Sequence, residues 1–192
     1  MFSKSFEGGL HPPEMKITAN KPITSIPNPK KVVIPLSQHI GAPGKPIVAV
    51  GDNVTRGQQL SEPNGFVSVP VHASITGKVV AIGNFMHPLG TFAPAIVIEA
   101  TSDEQEAPAS TAVAVDGLSL PEEEIKKRIL AAGVVGMGGA TFPTHVKLSP
   151  PASKPIDTVI LNGVECEPYL TADHRLMLEE TEKIINGLKI VM

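Results

Sequence analysis

Residues 48–60 read "VAVGDNVTRGQQL", a pattern typical of short strands joined by tight turns. A β-branched run leads into a Gly-Asp turn, a single valine, a second turn glycine and a strand-like end. Residues 71–82, "VHASITGKVVAI", repeat the order of strand, Thr-Gly turn and strand. The two stretches predict two halves of one small β domain.

The all-β pattern extends over residues 31–101. Short apolar runs separated by Gly, Pro, Asn and Asp predict its strands. The runs are "KVVIPL", "PIVAV", "FVSVPV", "GKVVAIG" and "PAIVIEA". Together they indicate a compact β domain with turns every few residues.

This β region resembles the biotinyl/lipoyl barrel-sandwich family. The matching residues are Gly51, Asp52, Val54, Gly57, Gln58 and Leu60 in the first half, and Ala73, Gly77, Lys78 and Val79 in the second. A carrier domain of that family presents a modifiable lysine between its halves. The corresponding segment here, "SEPNGFVSVP" (61–70), contains no lysine. We therefore expect a rigid spacer or docking platform rather than a carrier.

Composition excludes several classes of function. The chain has 192 residues, of which 42% are apolar and 18% charged, and its net charge is −3 without a basic block. Nucleic-acid binding is not expected, because phosphate contacts need clustered Lys and Arg. No apolar run reaches the roughly 20 residues that span a bilayer, and "MFSKSFEGGLHPPEMK" (1–16) lacks the apolar stretch of a signal peptide. These features predict a soluble protein.

Metal and disulfide chemistry is also not expected. The single cysteine, Cys166, excludes an internal disulfide and a four-cysteine cluster within this chain. The histidines do not lie at the spacing of metal ligands to one another or to that cysteine. They are His11, His39, His72, His87, His145 and His174. We predict histidines at the surface or in local hydrogen bonds.

Proline and small polar residues divide the rest of the chain. Residues 1–30 are proline-rich and predict an extended arm lying on other structure, with a disordered tail as the alternative. Residues 102–118 are small and polar and predict a linker.

A second domain is expected over 119–192. Its first helix, in "SLPEEEIKKRILAAG", is predicted to begin at the N-cap Ser119 with Glu122 completing a capping box, and to end at Gly133.

A glycine-rich loop follows this helix. Residues 133–148 read "GVVGMGGATFPTHVKL", with four glycines in seven residues. Such a loop lets successive backbone N–H groups converge on a phosphate. Its spacing is not that of a P-loop, and its position after a helix argues against the usual dinucleotide fingerprint. A glycine-rich turn without a ligand is the alternative.

A second polar loop follows the run "TVIL" (158–161), which predicts a buried strand. The loop carries Asn162, Glu165 and Glu167, and Asn162 can hydrogen-bond a flat heterocycle as both donor and acceptor. The two glutamates repel each other unless they face solvent or ligand donors, because no basic residue follows until Arg175. A helix then begins near Thr171 or Asp173.

The two loops together resemble the FMN-binding subunit of respiratory complex I, through "GMGGATFPTHVK" followed within twenty residues by "LNGVECEP". The resemblance implies bound FMN and NAD(H). It implies FMN over Gly136, Gly138, Gly139 and Ala140, Lys147 near the flavin or its phosphate, Asn162 against the ring or ribityl chain, and Glu165 and Glu167 on the NAD(H) side. Two positions depart from the family pattern. Met137 replaces a common arginine and Val164 a common acidic residue.

The whole chain resembles the RnfC subunit family of the Rnf ion-translocating electron-transport complex, through "GGLHPPE" (8–14), "IPLSQHIGAPGKPIVAVGD" (34–52) and "GFVSVPVHASITGKV" (65–79). The expected fold is α+β with two domains, a barrel-sandwich hybrid followed by the start of a complex-I-like FMN domain. The resemblance implies a peripheral subunit on the cytoplasmic face of the cell membrane. It would bind the other Rnf subunits and pass electrons between NAD(H), flavin and iron–sulfur clusters. Ferredoxin would be an indirect partner. No catalytic side chain is nominated.

Family members continue to cysteine motifs that hold two [4Fe–4S] clusters, which one cysteine cannot do. We therefore expect those clusters outside this chain, and we expect the chain alone to bind FMN weakly or not at all and to be inactive. Two alternatives remain open. One is a related flavoprotein of the cobalamin-reductase type, and the other is a non-catalytic docking subunit that has lost its flavin.

Overall fold

A computed structural model of the chain describes residues 9–10, 12–101 and 117–192. Its contacts form two compact units. One contains the described part of 1–25 together with 157–192, and the other contains the described part of 26–156. The expected linker, 102–118, lies outside the described residues except for its last two positions, and so do the first eight residues of the arm.

The larger unit is built on an antiparallel sheet. Its strands in chain order are β1 (Lys31–Pro35), β2 (Lys45–Pro46), β3 (Asn53–Val54), β4 (Ser61–Glu62), β5 (Gly77–Met86) and β6 (Phe92–Ala100). The main sheet has the order β1-β6-β5-β3, and β2 pairs with β4 separately. A register shift in β5 between Val79 and Ala81 marks a bulge, which bends the sheet.

The two repeated stretches pair with each other through their main chains. The N–H of Leu60 donates to the Val71 carbonyl at 2.8 Å, and that of Ala73 donates to the Gln58 carbonyl at 2.9 Å. Leu60 is also fully buried in the apolar core, together with Val79, Ile96 and Ile98. The predicted two-halved β domain is therefore confirmed.

Three of the five predicted strands form as expected, whereas "FVSVPV" (66–71) does not. This segment joins no ladder, because side chains accept hydrogen bonds from two of its main-chain N–H groups. The Val69 N–H donates to His39 Nε2 at 3.2 Å, and the Val71 N–H donates to the Ser61 hydroxyl at 2.9 Å. "PIVAV" (46–50) contributes only Pro46 to a strand.

The first helix, α1 (Glu122–Ala131), begins later than predicted. Ser119 lies in a preceding 3₁₀ turn, and Pro121 takes the N-cap position without a side-chain cap. The reason is that a residue before proline is disfavoured in the helical region, so Leu120 cannot continue a helix. The predicted capping box is wrong.

The end of α1 is as predicted. Gly133 adopts a positive φ of 67° and donates its N–H to the Leu130 carbonyl at 2.9 Å. The N–H of Val134 donates to the Ile129 carbonyl at 3.2 Å. This pair of bonds is a Schellman cap, which favours glycine at the left-handed position.

Three further helices follow: α2 (Thr144–Lys147), α3 (Ala172–Glu179) and α4 (Thr181–Val191). Thr171, one of the two predicted starting points, is the N-cap residue of α3. The predicted strand "TVIL" is wrong. No ladder bond joins it to another described segment, and Ile160 is 85% exposed. No helix in the described ranges is long and apolar enough to cross a bilayer.

We predict that Gly77→Ala lowers the free energy of unfolding by about 3 kcal/mol, a typical cost of overpacking a core. An added Cβ at this buried position would overlap the Glu99 carbonyl oxygen and lie 2.9 Å from Ile98 Cγ2. Gly83→Ala on the same strand is the control, since its Cβ meets nothing closer than 3.8 Å. Urea unfolding of both variants checks this, and equal stabilities would contradict it.

Candidate functional site

The glycine-rich loop is closed by main-chain hydrogen bonds across its base. The Thr144 N–H donates to the Val134 carbonyl at 3.1 Å, and the Gly136 N–H donates to the Phe142 carbonyl at 2.8 Å. Nearer the tip, the Thr141 N–H donates to the Gly138 carbonyl at 2.9 Å. The loop is therefore a defined hairpin-like turn.

The tip of this loop offers unused main-chain donors. Within the described chain, the N–H groups of residues 137–140 make no hydrogen bond. A Cβ added at Gly138 or Gly139 would meet nothing within 4 Å, and neither glycine has a positive φ. The packing and backbone conformation of the chain itself therefore do not explain these two glycines.

The cation of the loop is Lys147, the last residue of α2. A Cβ added at Gly136 would overlap the Lys147 Nζ, so the ammonium lies directly against the glycine backbone. Across the part of the chain that the structure describes, this ammonium has no ion-pair partner. The loop thus combines free N–H donors with an unpaired positive charge, an arrangement that suits an anion.

The loop is held on the β domain of the same unit. The Ile40 N–H donates to the Ala140 carbonyl at 3.2 Å, and His145 Nε2 donates to the Phe66 carbonyl at 2.9 Å. The His145 and Phe66 rings also meet edge to face, 5.9 Å between centroids. His145 Nδ1 is buried without a hydrogen-bond partner in the described chain. The loop therefore has a rigid base.

An open cavity of about 920 Å³ lies between the loop tip and the β domain. The tip contributes Gly139, Ala140 and Thr141 to its wall. The β domain contributes residues of β1 and of the 37–40 turn, together with His72, Ser74 and the 87–89 turn. Sequence reasoning did not assign these β-domain residues to a site, because an apolar strand pattern carries no such signal.

The other predicted site residues belong to the smaller unit. Asn162 Oδ1 accepts the Val164 N–H at 3.0 Å, which leaves its amide NH₂ exposed. Glu165 Oε1 accepts the His174 N–H at 3.1 Å in the first turn of α3. The Glu167 side chain is exposed. The assignment of all eight residues to FMN and NAD(H) stays a prediction.

The arm supplies a contact that sequence reasoning missed. Lys16 Nζ donates to the Glu167 carbonyl at 3.0 Å and to the Leu170 carbonyl at 2.7 Å. The Thr18 and Thr171 hydroxyls share a hydrogen bond of 2.7 Å. The one feature of the sequence that could have indicated this contact was the lack of a basic residue near Glu165 and Glu167.

The arm also meets α3. Arg175 donates to the Ala19 carbonyl at 3.1 Å and pairs with Glu179, whose carboxylate also accepts the Ile23 N–H at 3.0 Å. The Arg175 hydrogen bond, with a smaller contribution from Ile23, holds the pKa of Glu179 below its usual value. Ala19 and Ile23 of the arm therefore contact α3 through its Arg175 and Glu179 side chains.

Comparison with known families identifies the class to which these features belong. Residues 4–103 match the RnfC barrel-sandwich hybrid domain, and residues 129–192 match the Nuo51 FMN-binding domain. A barrel-sandwich domain followed by an FMN-binding domain is the α+β arrangement expected from the sequence. The chain belongs to the RnfC family of the Rnf electron-transport complex.

Three relatives illustrate the similarity, each over 98% of this chain. The C component of the Na⁺-translocating ferredoxin:NAD⁺ oxidoreductase complex of Acetobacterium woodii is 51% identical. Its proton-translocating counterpart from Clostridium ljungdahlii is 50% identical, and the C component of the ion-translocating oxidoreductase complex of Rhodobacter capsulatus is 41% identical. The chain spans 42%, 41% and 37% of their respective lengths.

We predict that the stabilising effect of Glu179 depends on pH. Because the folded-state pKa is lowered, the stabilisation is present above the usual glutamate pKa of 4.5 and is lost as the pH falls through the folded value. The stability difference between the wild type and Glu179→Gln should therefore be largest near pH 7 and shrink below about pH 4.5. Urea unfolding over this range measures it.

Glu182→Gln is the control, because Glu182 makes no ion pair in the described chain. A Glu179→Gln difference that stays constant down to pH 3 would contradict the prediction.

Proposed function

We propose that this chain carries the FMN-binding loop and part of the NAD(H) site of a peripheral subunit in a ferredoxin:NAD oxidoreductase complex. The complex would move ions across the cytoplasmic membrane while electrons pass between NAD(H), flavin and iron–sulfur clusters. This chain would act at the NAD(H) end, on the cytoplasmic face, beside the membrane subunits.

The observation that carries the proposal is the pair of glycines that the chain itself does not require. Gly138 and Gly139 have open space where a side chain would stand, and they lie among four successive N–H groups that have no partner in the described part of the chain. A ligand that lies flat on this backbone would explain the absence of side chains. The residues present therefore fit a flavin with an anionic tail.

FMN, when bound, supplies hydride exchange with a nicotinamide and divides the electron pair into single electrons. The chain would supply position and charge. The N–H groups of residues 137–140 would donate to phosphate oxygens or to the ring, and the Lys147 ammonium would balance negative charge. Met137, which is 94% exposed, adds no charge at the position where the family commonly has arginine.

The acidic loop would serve the nucleotide. Hydroxyl and amide groups of NAD(H) are hydrogen-bond donors, and carboxylates accept such bonds. The Glu167 side chain is exposed, whereas Glu165 also accepts a bond from the first turn of α3. We infer that Glu167 has both carboxylate oxygens available for the nucleotide, and that Glu165 has one.

We predict that Lys147→Met in the full-length protein weakens FMN binding by about 10-fold to 100-fold, as expected for losing a charge-assisted hydrogen bond. Lys127→Met is the matched control, since Lys127 is an exposed lysine of α1 outside the loop. Flavin fluorescence titration of the apoprotein measures both. Equal affinities for the two variants would contradict the role of Lys147.

Gly138→Ala separates binding from folding. Its added Cβ meets no atom of the chain, so the thermal unfolding midpoint of the apoprotein should be unchanged while FMN affinity falls. A full-length protein that neither contains nor accepts FMN would refute the proposed function and favour a docking subunit without flavin.

A further inference from the structure

We propose that Lys16 is a positioning residue for the acidic loop, so that the N-terminal arm helps to set NAD(H) affinity. This inference rests on the proposed function, since it takes Glu165 and Glu167 to face the nucleotide. Lys16 itself would not touch the nucleotide. It would act through the main chain of the loop that carries the two glutamates.

The Lys16 ammonium closes a turn. Within residues 167–170, the Leu170 N–H donates to the Glu167 carbonyl at 3.3 Å, a long and weak bond. Lys16 Nζ donates to both the Glu167 and the Leu170 carbonyls, at 3.0 and 2.7 Å. One cation thus binds the carbonyls at both ends of the turn, and it stabilises the turn in addition to the weak internal hydrogen bond.

The arm residues around Lys16 are themselves folded into turns. The Ala19 N–H donates to the Lys16 carbonyl at 3.1 Å, and the Lys21 N–H donates to the Thr18 carbonyl at 3.0 Å. These turns direct the Lys16 ammonium and the Thr18 hydroxyl toward the same loop, where Thr18 meets the buried Thr171. The Lys16 contact therefore belongs to a built interface.

The choice of main-chain carbonyls as the partners of Lys16 has a second consequence. Glu165 and Glu167 lie two residues apart, and in the described chain neither makes an ion pair. The Lys16 ammonium binds the main-chain carbonyl of Glu167 and not its carboxylate. The carboxylate oxygens stay available for ligand donors. A salt bridge at the same place would have occupied them.

The loop is tied to α3 from the other side. Glu165 accepts the His174 N–H at 3.1 Å, so a displaced loop also disturbs the first turn of this helix. Loss of the Lys16 ammonium should therefore loosen residues 165–174 as one segment. Amide exchange of that segment reports on the effect without flavin or nucleotide.

The test compares Lys16→Met, Lys16→Arg and the control Lys21→Met in the full-length protein. Lys21 is exposed, and its ammonium makes no hydrogen bond in the described chain. The measurements are hydrogen–deuterium exchange over residues 165–174, FMN content, and kcat and KM for NADH with ferricyanide as acceptor. In Lys16→Met we expect exchange and KM each to rise by about 5-fold or more, with FMN content retained and kcat changed less.

Lys16→Arg should return both the exchange rate and the KM most of the way to their wild-type values, because a guanidinium can also donate to two carbonyls. Lys21→Met should match the wild type. Unchanged exchange in Lys16→Met would overturn the contact, and faster exchange with an unchanged KM would overturn its role in nucleotide binding. A wild-type protein that contains no FMN and does not oxidise NADH would refute the proposed function instead. The exchange data would still decide whether Lys16 holds the loop.

Discussion

The larger unit depends on the main-chain hydrogen bonds that join its two repeated halves. Leu60 with Val71 and Gln58 with Ala73 pair in the middle, and Gly51 and Asp52 exchange bonds of 2.8 Å with Val79 at the end. Each bond also aligns apolar side chains on the inner face, so pairing and burial of the core reinforce each other. Once the halves are closed, the segment 66–71 has a fixed path, with its last four residues buried.

That path is the base on which the glycine-rich loop rests. Phe66 offers a carbonyl and a ring to His145, and Pro70 and His72 leave no room for a side chain at Gly133. A loop whose tip carries unpaired N–H groups would otherwise be free to reorganise in water. Here its base is fixed at both ends of the hairpin, so the free donors keep their directions. Preorganised donors bind an anion with less loss of entropy.

The sequence predicted what local patterns control. The strands β1, β5 and β6 form because their alternate side chains enter one core, and α1 ends at Gly133 because only a cap with positive φ fits there. The errors have equally local causes. Pro121 delays the start of α1, and side chains of His39 and Ser61 replace a ladder along 66–71. Those last partners come from distant segments, which a pattern of apolar residues does not reveal.

The same limit applies to the acidic loop. The paired glutamates predicted a loop that faces solvent or ligand donors, but the lysine that binds its main chain lies 151 residues away from Glu167. Its binding to carbonyls rather than to carboxylates has a chemical consequence. A cation paired with a carboxylate competes with any donor on a ligand, whereas a cation on the adjacent main chain fixes the loop and leaves the carboxylate oxygens available. A loop whose carboxylates bind hydroxyl and amide donors is therefore better served by an ammonium bound to its main-chain carbonyls than by one paired with the carboxylates.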